Sequence, residues 1–447
     1  MDANRGQWNS KIGFIMAAAG SAIGLGNIWR FPYVAGENGG GAFVLLYIAF
    51  VFAIGLPYMY AELSLGRATK KNPVGAIQTI LPGSLWKIGG YLGVFIGIGI
   101  LSFYGVIAGW TILYIYKMML GDPGGFQELI ANPTVVVPLF AFFIFLTGFV
   151  VYRGVSEGIE RWSKILMPVF FLLLIGIIVF SFTLDGATKG LEFYLKPDFS
   201  KITFSTVLAA LGQAFFSLSL GMGTMITYGS YISKEDNIIT SGIAVAIFDT
   251  MIAIMAGLII FPALFAMGED PAVGPLLVFV VLPKLFAAMP GGLIVGTIFF
   301  ILLSVAALTS TISLLEVPVA YVIDEHKLSR PKVVWIVAII AFILGIPSVL
   351  SQGASEFLTN IAIFPESFAD PDFLSQMSFL FGDIGLAVGA VILSLFIGWK
   401  WGLNKANEEI EIGSPGFGNA KLIWGILIKF VIPLVIFIVL LSTIQIF

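Results

Sequence analysis

The chain has 447 residues, of which 58% are hydrophobic and 11% charged, a net charge of −3 and a mean hydropathy of +1.01. A soluble domain carries about a quarter of its residues as charges, so a water-soluble fold is excluded; the missing basic excess excludes a nucleic-acid partner. With no cysteine and one histidine, His326, in the charged run Asp324-Glu325-His326-Lys327, disulfides, thiol chemistry and histidine-rich metal sites are excluded as well.

A bilayer-crossing helix needs about 20 mostly apolar residues. Eleven such stretches follow one another: 11–36, 41–66, 88–118, 134–152, 158–184, 203–232, 240–267, 291–323, 333–350, 379–399 and 422–446. The first is followed by further spans and reads as a retained helix rather than a cleaved signal. The expected fold is an all-α membrane protein of about 11 transmembrane helices in a single domain, 1–447. Residues 404–419 read as a polar loop on one side, and 352–378 as a long acid-containing loop on the other. Placing the N-terminus in the cytoplasm puts sixteen lysines and arginines inside against five outside (Lys117, Lys189, Lys196, Lys201 and Lys284), as the positive-inside rule requires.

Two spans are interrupted alike. The first contains Ile23-Gly24-Leu25-Gly26-Asn27-Ile28 and the sixth Leu220-Gly221-Met222-Gly223-Thr224-Met225. They fall at corresponding points of two five-span halves, 11–184 and 203–399, which cross in opposite senses because five is odd; 422–446 is an extra C-terminal helix. Paired interruptions of this kind point to a transport site near the midplane. Unwinding a helix in lipid costs several kcal/mol for each backbone group left unsatisfied. The freed N–H groups suit an anion and the freed carbonyls a cation. Close helix packing is the ordinary alternative for such glycines, and for one segment alone it would stand. The eighth span adds adjacent hydroxyls in Ala306-Ala307-Leu308-Thr309-Ser310-Thr311, which can also simply bond back to the preceding turn. The seventh carries an acid, Asp249, at about 2.5–3.5 kcal/mol on insertion scales; a purely structural hydrogen-bonded acid is the alternative.

The run Gly20-Ser21-Ala22-Ile23-Gly24-Leu25-Gly26-Asn27-Ile28-Trp29-Arg30-Phe31-Pro32-Tyr33, followed by Glu37-Asn38-Gly39-Gly40-Gly41-Ala42-Phe43, resembles the neurotransmitter:sodium symporter family. Within it, the chain resembles the prokaryotic carriers of hydrophobic and aromatic amino acids. The resemblance runs from Arg5 to about Pro318 and more loosely through the last spans. It implies helices one and six unwound midway, two sodium ions and alternating access. The first sodium would take the Ala22 carbonyl, Asn27, Ser217, Asp249 and the substrate carboxylate. The second would take carbonyls of Gly20, Ile23 and Ala306 with the Thr309 and Ser310 hydroxyls. The substrate carboxylate would meet the N–H groups of Leu25 and Gly26 and the Tyr104 hydroxyl. Its ammonium would meet carbonyls near Ala22, Phe216 and Ser217, with Ser219 nearby. Ile100, Phe216, Met222, Ser310 and Leu314 would wall the side chain.

Family members that carry monoamines place an aspartate where this chain has Gly24, so an amino acid is the implied substrate, hydrophobic or aromatic by its walls. Small or polar amino acids, amines, an ion channel and a non-transporting sensor are the other readings. The chloride pocket of related proteins maps to Tyr47, Gln213 and Ser217, and the acid of a chloride-independent member maps to Ala253. Asp249 stands one turn earlier, so chloride is not expected to be required. The inner gate is expected at Arg5, Trp8, Tyr231 and Asp324, and the outer gate at Arg30 and Phe216. The outer acid should fall near Ser378, where there is none; Asp372, Asp383, another loop acid or a water remain open. The stretch 158–168 of the fifth span resembles a motif at which that helix unwinds. The expected setting is a prokaryotic inner membrane, multi-pass, with the lipid bilayer and an amino acid as partners and the chain a monomer or weak homodimer.

Overall fold

The computed structural model of the chain describes residues 6–272, 277–365, 368–414 and 416–446. Among them no strand occurs. Ser10 starts α1 (Lys11–Ala22) by accepting the Gly13 N–H on its side chain, as an N-cap does. The helix stops where Ile23 turns extended (φ −76°, ψ 103°), and α2 (Gly26–Glu37) leaves at 51° to it. The following spans are α3 (Gly41–Thr69), α4 (Lys87–Leu120), α5 (Pro133–Tyr152) and α6 (Val155–Phe182). Asn72 and Asn132 each cap a helix with proline at its first position, where the missing N–H is no loss.

The second half begins with α7 (Phe204–Ser217), opened by a Thr203–Thr206 capping box. After a break it continues as α8 (Thr224–Gly229). Then come α9 (Ile238–Met267), α10 (Gly292–His326), α11 (Arg330–Leu350), α12 (Phe373–Glu411) and α13 (Lys421–Thr443). Nine of these helices are long and apolar enough to cross a membrane, and α1 with α2 make a tenth, bent candidate. The expected sixth span is the pair α7 and α8, of 14 and 6 residues, each too short alone.

The third and eighth spans, α4 and α10, lie along each other at the centre, with Gly97 facing the Leu314 carbonyl and Val317. The other central group joins α1 to α9 and α8 to α3. There Gly229 of α8 leaves no room for a side chain against the Leu63 backbone.

Two expectations need correction. The stretch 158–168 is not unwound: Val155–Glu160 is wound as a π-helix, and Arg161–Phe182 runs as an unbroken α-helix through Pro168. The supposed loop 404–419 is helical to Glu411 and holds a buried acid, Glu409. Glu409 Oε1 takes the buried Arg67 Nε at 2.7 Å and its Oε2 takes Lys234 Nζ at 2.5 Å. A charge partner outside the loop made the polar composition misleading.

Candidate functional site

Three residues, 23–25, separate α1 from α2, and the groups they free are met by side chains. Ser310 Oγ donates to the Ser21 carbonyl at 3.2 Å and lies 3.4 Å from that of Ile23. Thr309 Oγ1 bonds back within its own helix to the Ala306 carbonyl at 2.9 Å and lies 3.5 Å from that of Ile23. Gly20 faces Thr309 so closely that a Cβ would lie 3.2 Å from the Thr309 Cβ. Oxygens of Ile23, Ala306, Thr309 and Ser310 thus lie together beside Gly20, all neutral, the donor chemistry a hard cation takes.

Asn27, Ser217 and Asp249 form a second cluster on the other side of the break. Asn27 Nδ2 donates to Asp249 Oδ1 at 2.8 Å and Ser217 Oγ at 3.0 Å. Ser217 Oγ donates to the same carboxylate at 2.9 Å, and Tyr47 Oη to Asp249 Oδ2 at 3.0 Å. Asn27 Oδ1 meanwhile accepts the Gly24 N–H at 3.2 Å. A cation at this point would need the amide turned by half a rotation, which exchanges donor for acceptor at nearly the same place. Gln213 is spent elsewhere, donating to the Gly26 carbonyl at 3.0 Å. Ala253 is buried one turn on, its carbonyl 3.4 Å from Tyr194 Oη.

Between the two breaks lies a cavity of about 40 Å³. Ala22, Gly24, Gly26, Ile100, Tyr104, Phe216, Ser219, Met222, Ser310 and Leu314 line it as the sequence suggests. Ser21, Ser313 and Leu386 line it too, and sequence reasoning missed them. Leu25 and Ser217 do not line it. Leu25 gives its N–H to Tyr104 Oη at 2.9 Å, so that hydroxyl is an acceptor toward the backbone and keeps its own proton to give. At Gly24 a Cβ would come within 2.7 Å of the same hydroxyl.

Toward one face, a cavity of about 120 Å³ is lined by Leu25, Arg30, Phe216, Ser378 and Asp383, among others. Arg30 lies 4.5 Å above the Phe216 ring and 3.0 Å from Asp383. The acid comes five residues after Ser378 yet shares its wall. Residues 378–385 are wound as a π-helix, in which a step of five returns to nearly the same face; an α-helix of 3.6 residues per turn would not do so. A larger cavity, about 260 Å³, lies behind this pair between α7, α12 and α13.

Toward the opposite face, Trp8 Nε1 donates to the Tyr228 carbonyl at 3.0 Å, and its ring meets Tyr228 and Tyr231 edge-on. Tyr231 Oη donates to Glu316 at 2.6 Å; Arg330 pairs with the same carboxylate and gives its Nε to the Val151 carbonyl at 2.9 Å. Asp324 accepts both the backbone and side-chain N–H of Asn72, at 2.9 and 3.0 Å. Arg5 lies outside the described residues. Glu316 and Arg330 escaped notice, although an acid two residues before Pro318 in an apolar span was a signal. Glu160, also missed, is buried and holds the N-terminal segment through the Asn9 N–H at 2.7 Å and Ser10 Oγ at 2.9 Å.

The model of the sodium:neurotransmitter symporter family matches residues 5–122 and 127–447. An uncharacterized sodium-dependent transporter of Bacillus subtilis, YhdH, is 40% identical over 98% of both chains. A sodium-dependent transporter of Haemophilus influenzae is 36% identical, again over 98% of each. The crystal structure of MhsT in complex with L-phenylalanine is 45% identical and superposes with a TM-score of 0.88, covering 98% of this chain and 100% of that one.

Proposed function

The chain belongs to the sodium:neurotransmitter symporter family, a family of sodium-coupled transporters, and from that premise we propose that it carries hydrophobic or aromatic L-amino acids with two sodium ions, independently of chloride. The observation that carries this reading is the pair of oxygen clusters on either side of one helix break, with the central cavity beside that break. The 45% identity to a protein solved with L-phenylalanine supports the substrate class. So does Gly24, where no side chain fits and no acid is present to hold a substrate amine.

In this reading the substrate carboxylate lies at the Gly26 N–H and takes the free proton of Tyr104, beside the first sodium. Its ammonium lies among the carbonyls near Ala22 and Phe216, with Ser219. The first ion is held by the Ala22 carbonyl, Asn27, Ser217 and Asp249. The second lies among Gly20, Ile23, Ala306, Thr309 and Ser310, taking the carbonyls to which the two hydroxyls now donate. Because the carboxylate ligates the first ion, each raises the other's affinity by the same factor. Asp249 supplies the negative charge that chloride supplies elsewhere, since its carboxylate already collects the donors of Tyr47, Ser217 and Asn27. On the empty return step it takes up a proton.

Trp8, Tyr231 and Asp324 seal the cytoplasmic face, where the N-terminus lies, with Glu316 and Arg330 extending the seal. Arg30, Asp383 and Phe216 seal the outside. The chain works in the inner membrane of a prokaryote as a monomer or weak homodimer. The small cavity favours a second reading, an amino acid with a short side chain; larger substrates need Met222 to move, which an unbranched side chain does readily. Sodium-gradient uptake of labelled leucine into proteoliposomes, with tryptophan, tyrosine, alanine and glycine as competitors, separates the two. Selective block by glycine would remove the first reading, and a requirement for chloride would remove the role of Asp249.

A further inference from the structure

Four serine hydroxyls line the central cavity, those of Ser21, Ser219, Ser310 and Ser313, and all four residues are buried. A hydroxyl has one proton to give and two lone pairs to receive with. Each proton is already committed. Ser21 donates to Ser313 Oγ at 2.7 Å and Ser313 to the Ser310 carbonyl at 2.8 Å. Ser310 and Ser219 both donate to the Ser21 carbonyl, at 3.2 and 2.9 Å. The hydroxyls therefore present lone pairs to the cavity and no free proton. Among the described residues, no donor reaches Ser21 Oγ.

Two of the four have duties in the transport reading, Ser219 toward the ammonium and Ser310 toward the second sodium. Ser21 and Ser313 have none. They line the same cavity as Leu314 and Met222, and Ser313 directly precedes Leu314 in the chain; in the transport reading Leu314 and Met222 face the side chain of the substrate. We infer that the Ser21–Ser313 hydroxyl pair is a side-chain subsite that accepts a hydrogen bond from the substrate, and so selects an indole N–H or a phenol O–H over a hydrocarbon of the same size. This rests on the proposed carriage of hydrophobic or aromatic amino acids. Discrimination follows from desolvation. An indole or phenol donor loses its water on entering the pocket, and against purely apolar walls that loss would go unanswered. With the pair in place the donor is met again, and a net bond of this kind is worth about tenfold in affinity.

The test uses the full chain, purified, with sodium present. Displacement of labelled phenylalanine by tryptophan is compared with displacement by 3-benzothienylalanine, in which sulfur replaces the N–H at nearly equal size. Tyrosine is compared with unlabelled phenylalanine in the same way. Wild type is expected to prefer tryptophan by about tenfold. In Ser21→Ala/Ser313→Ala, and more weakly in Ser21→Ala alone, that ratio falls toward one, because a ratio is indifferent to general loss of affinity. Equal potency of the two analogues in wild type overturns the subsite, as does a tenfold preference that survives the double substitution. If phenylalanine itself does not bind, the substrate class fails, and the subsite fails with it. If phenylalanine binds and the ratio is one, the subsite alone fails.

Discussion

The two broken spans solve one problem with different chemistry. In the first, three residues leave the helix; the Ile23 carbonyl is met by the hydroxyls of Ser310 and Thr309 at 3.4 and 3.5 Å, and that of Ser21, in the last turn before the break, by Ser310 at 3.2 Å. In the sixth, six residues leave it, and three take positive φ: Ser219 at 54°, Gly221 at 83° and Gly223 at 77°. The Gly221 N–H there meets a buried carboxylate, Glu62 Oε1, at 2.9 Å. A hydroxyl on a carbonyl is easily exchanged for an ion on the same carbonyl. A left-handed backbone locked on a carboxylate is not easily exchanged for anything. The first break is therefore suited to swapping partners and the sixth to keeping a shape.

That contrast can be broken most severely at Gly221. Gly221→Ala would put a methyl group against the Leu386 carbonyl and 3.1 Å from Ala390 Cβ, at a φ that costs an L-residue about 1–2 kcal/mol before the clash is added. Uptake per inserted molecule is expected to fall by about a hundredfold; near-normal uptake would show that the sixth break does not need its shape. Asp249→Asn sharpens the other side. Its sodium dependence should move to about tenfold higher concentration, and chloride, compared with gluconate, should partly restore it. Thr309→Ala removes one exchangeable hydroxyl and should weaken sodium activation by several-fold to about tenfold, read from initial rates over a sodium series. For Glu62 two substitutions are compared. Glu62→Gln keeps an acceptor for the Gly221 N–H and should lie within about threefold of wild type. Glu62→Ala leaves that N–H unmet and should cost about tenfold and lower the melting temperature. Arg30→Lys touches neither break and should change uptake the least, by about two- to fivefold, since Arg30 and Asp383 are 28% and 31% exposed and such pairs are weak.

Legibility in the sequence followed how local the cause was. Gly24, Gly26, Gly221 and Gly223 announce the breaks because glycine and polar residues inside an apolar run need an explanation. Asn27, Asp249 and Thr309 announce themselves likewise, as polar groups where lipid asks for none. Asp383 was legible only as one of several candidates for the outer acid, because its place on the wall beside Ser378 depends on π-helical winding that no residue pattern marked. The pairing of Glu316 with Arg330 depends on two helices meeting across a turn, and that of Glu409 with Arg67 on two ends far apart in the chain. Ser21 and Ser313 look in sequence like ordinary small residues of packed helices; only their mutual 2.7 Å contact at the cavity wall sets them apart. The fifth span carries a pattern linked to unwinding and is nevertheless wound here, since a glycine and a proline permit a break without imposing one.

The helix α12 has a mechanical consequence. It carries Asp383, which holds Arg30 near one face, and Glu409, which holds Arg67 and Lys234 near the other. Twenty-six residues of helical rise separate those two acids, roughly 30–40 Å of nearly stiff material, with one swivel at Gly402 (φ 92°). One backbone thus fastens an arginine near each face, and the place where it can turn between them is Gly402, where the chain leaves helical geometry.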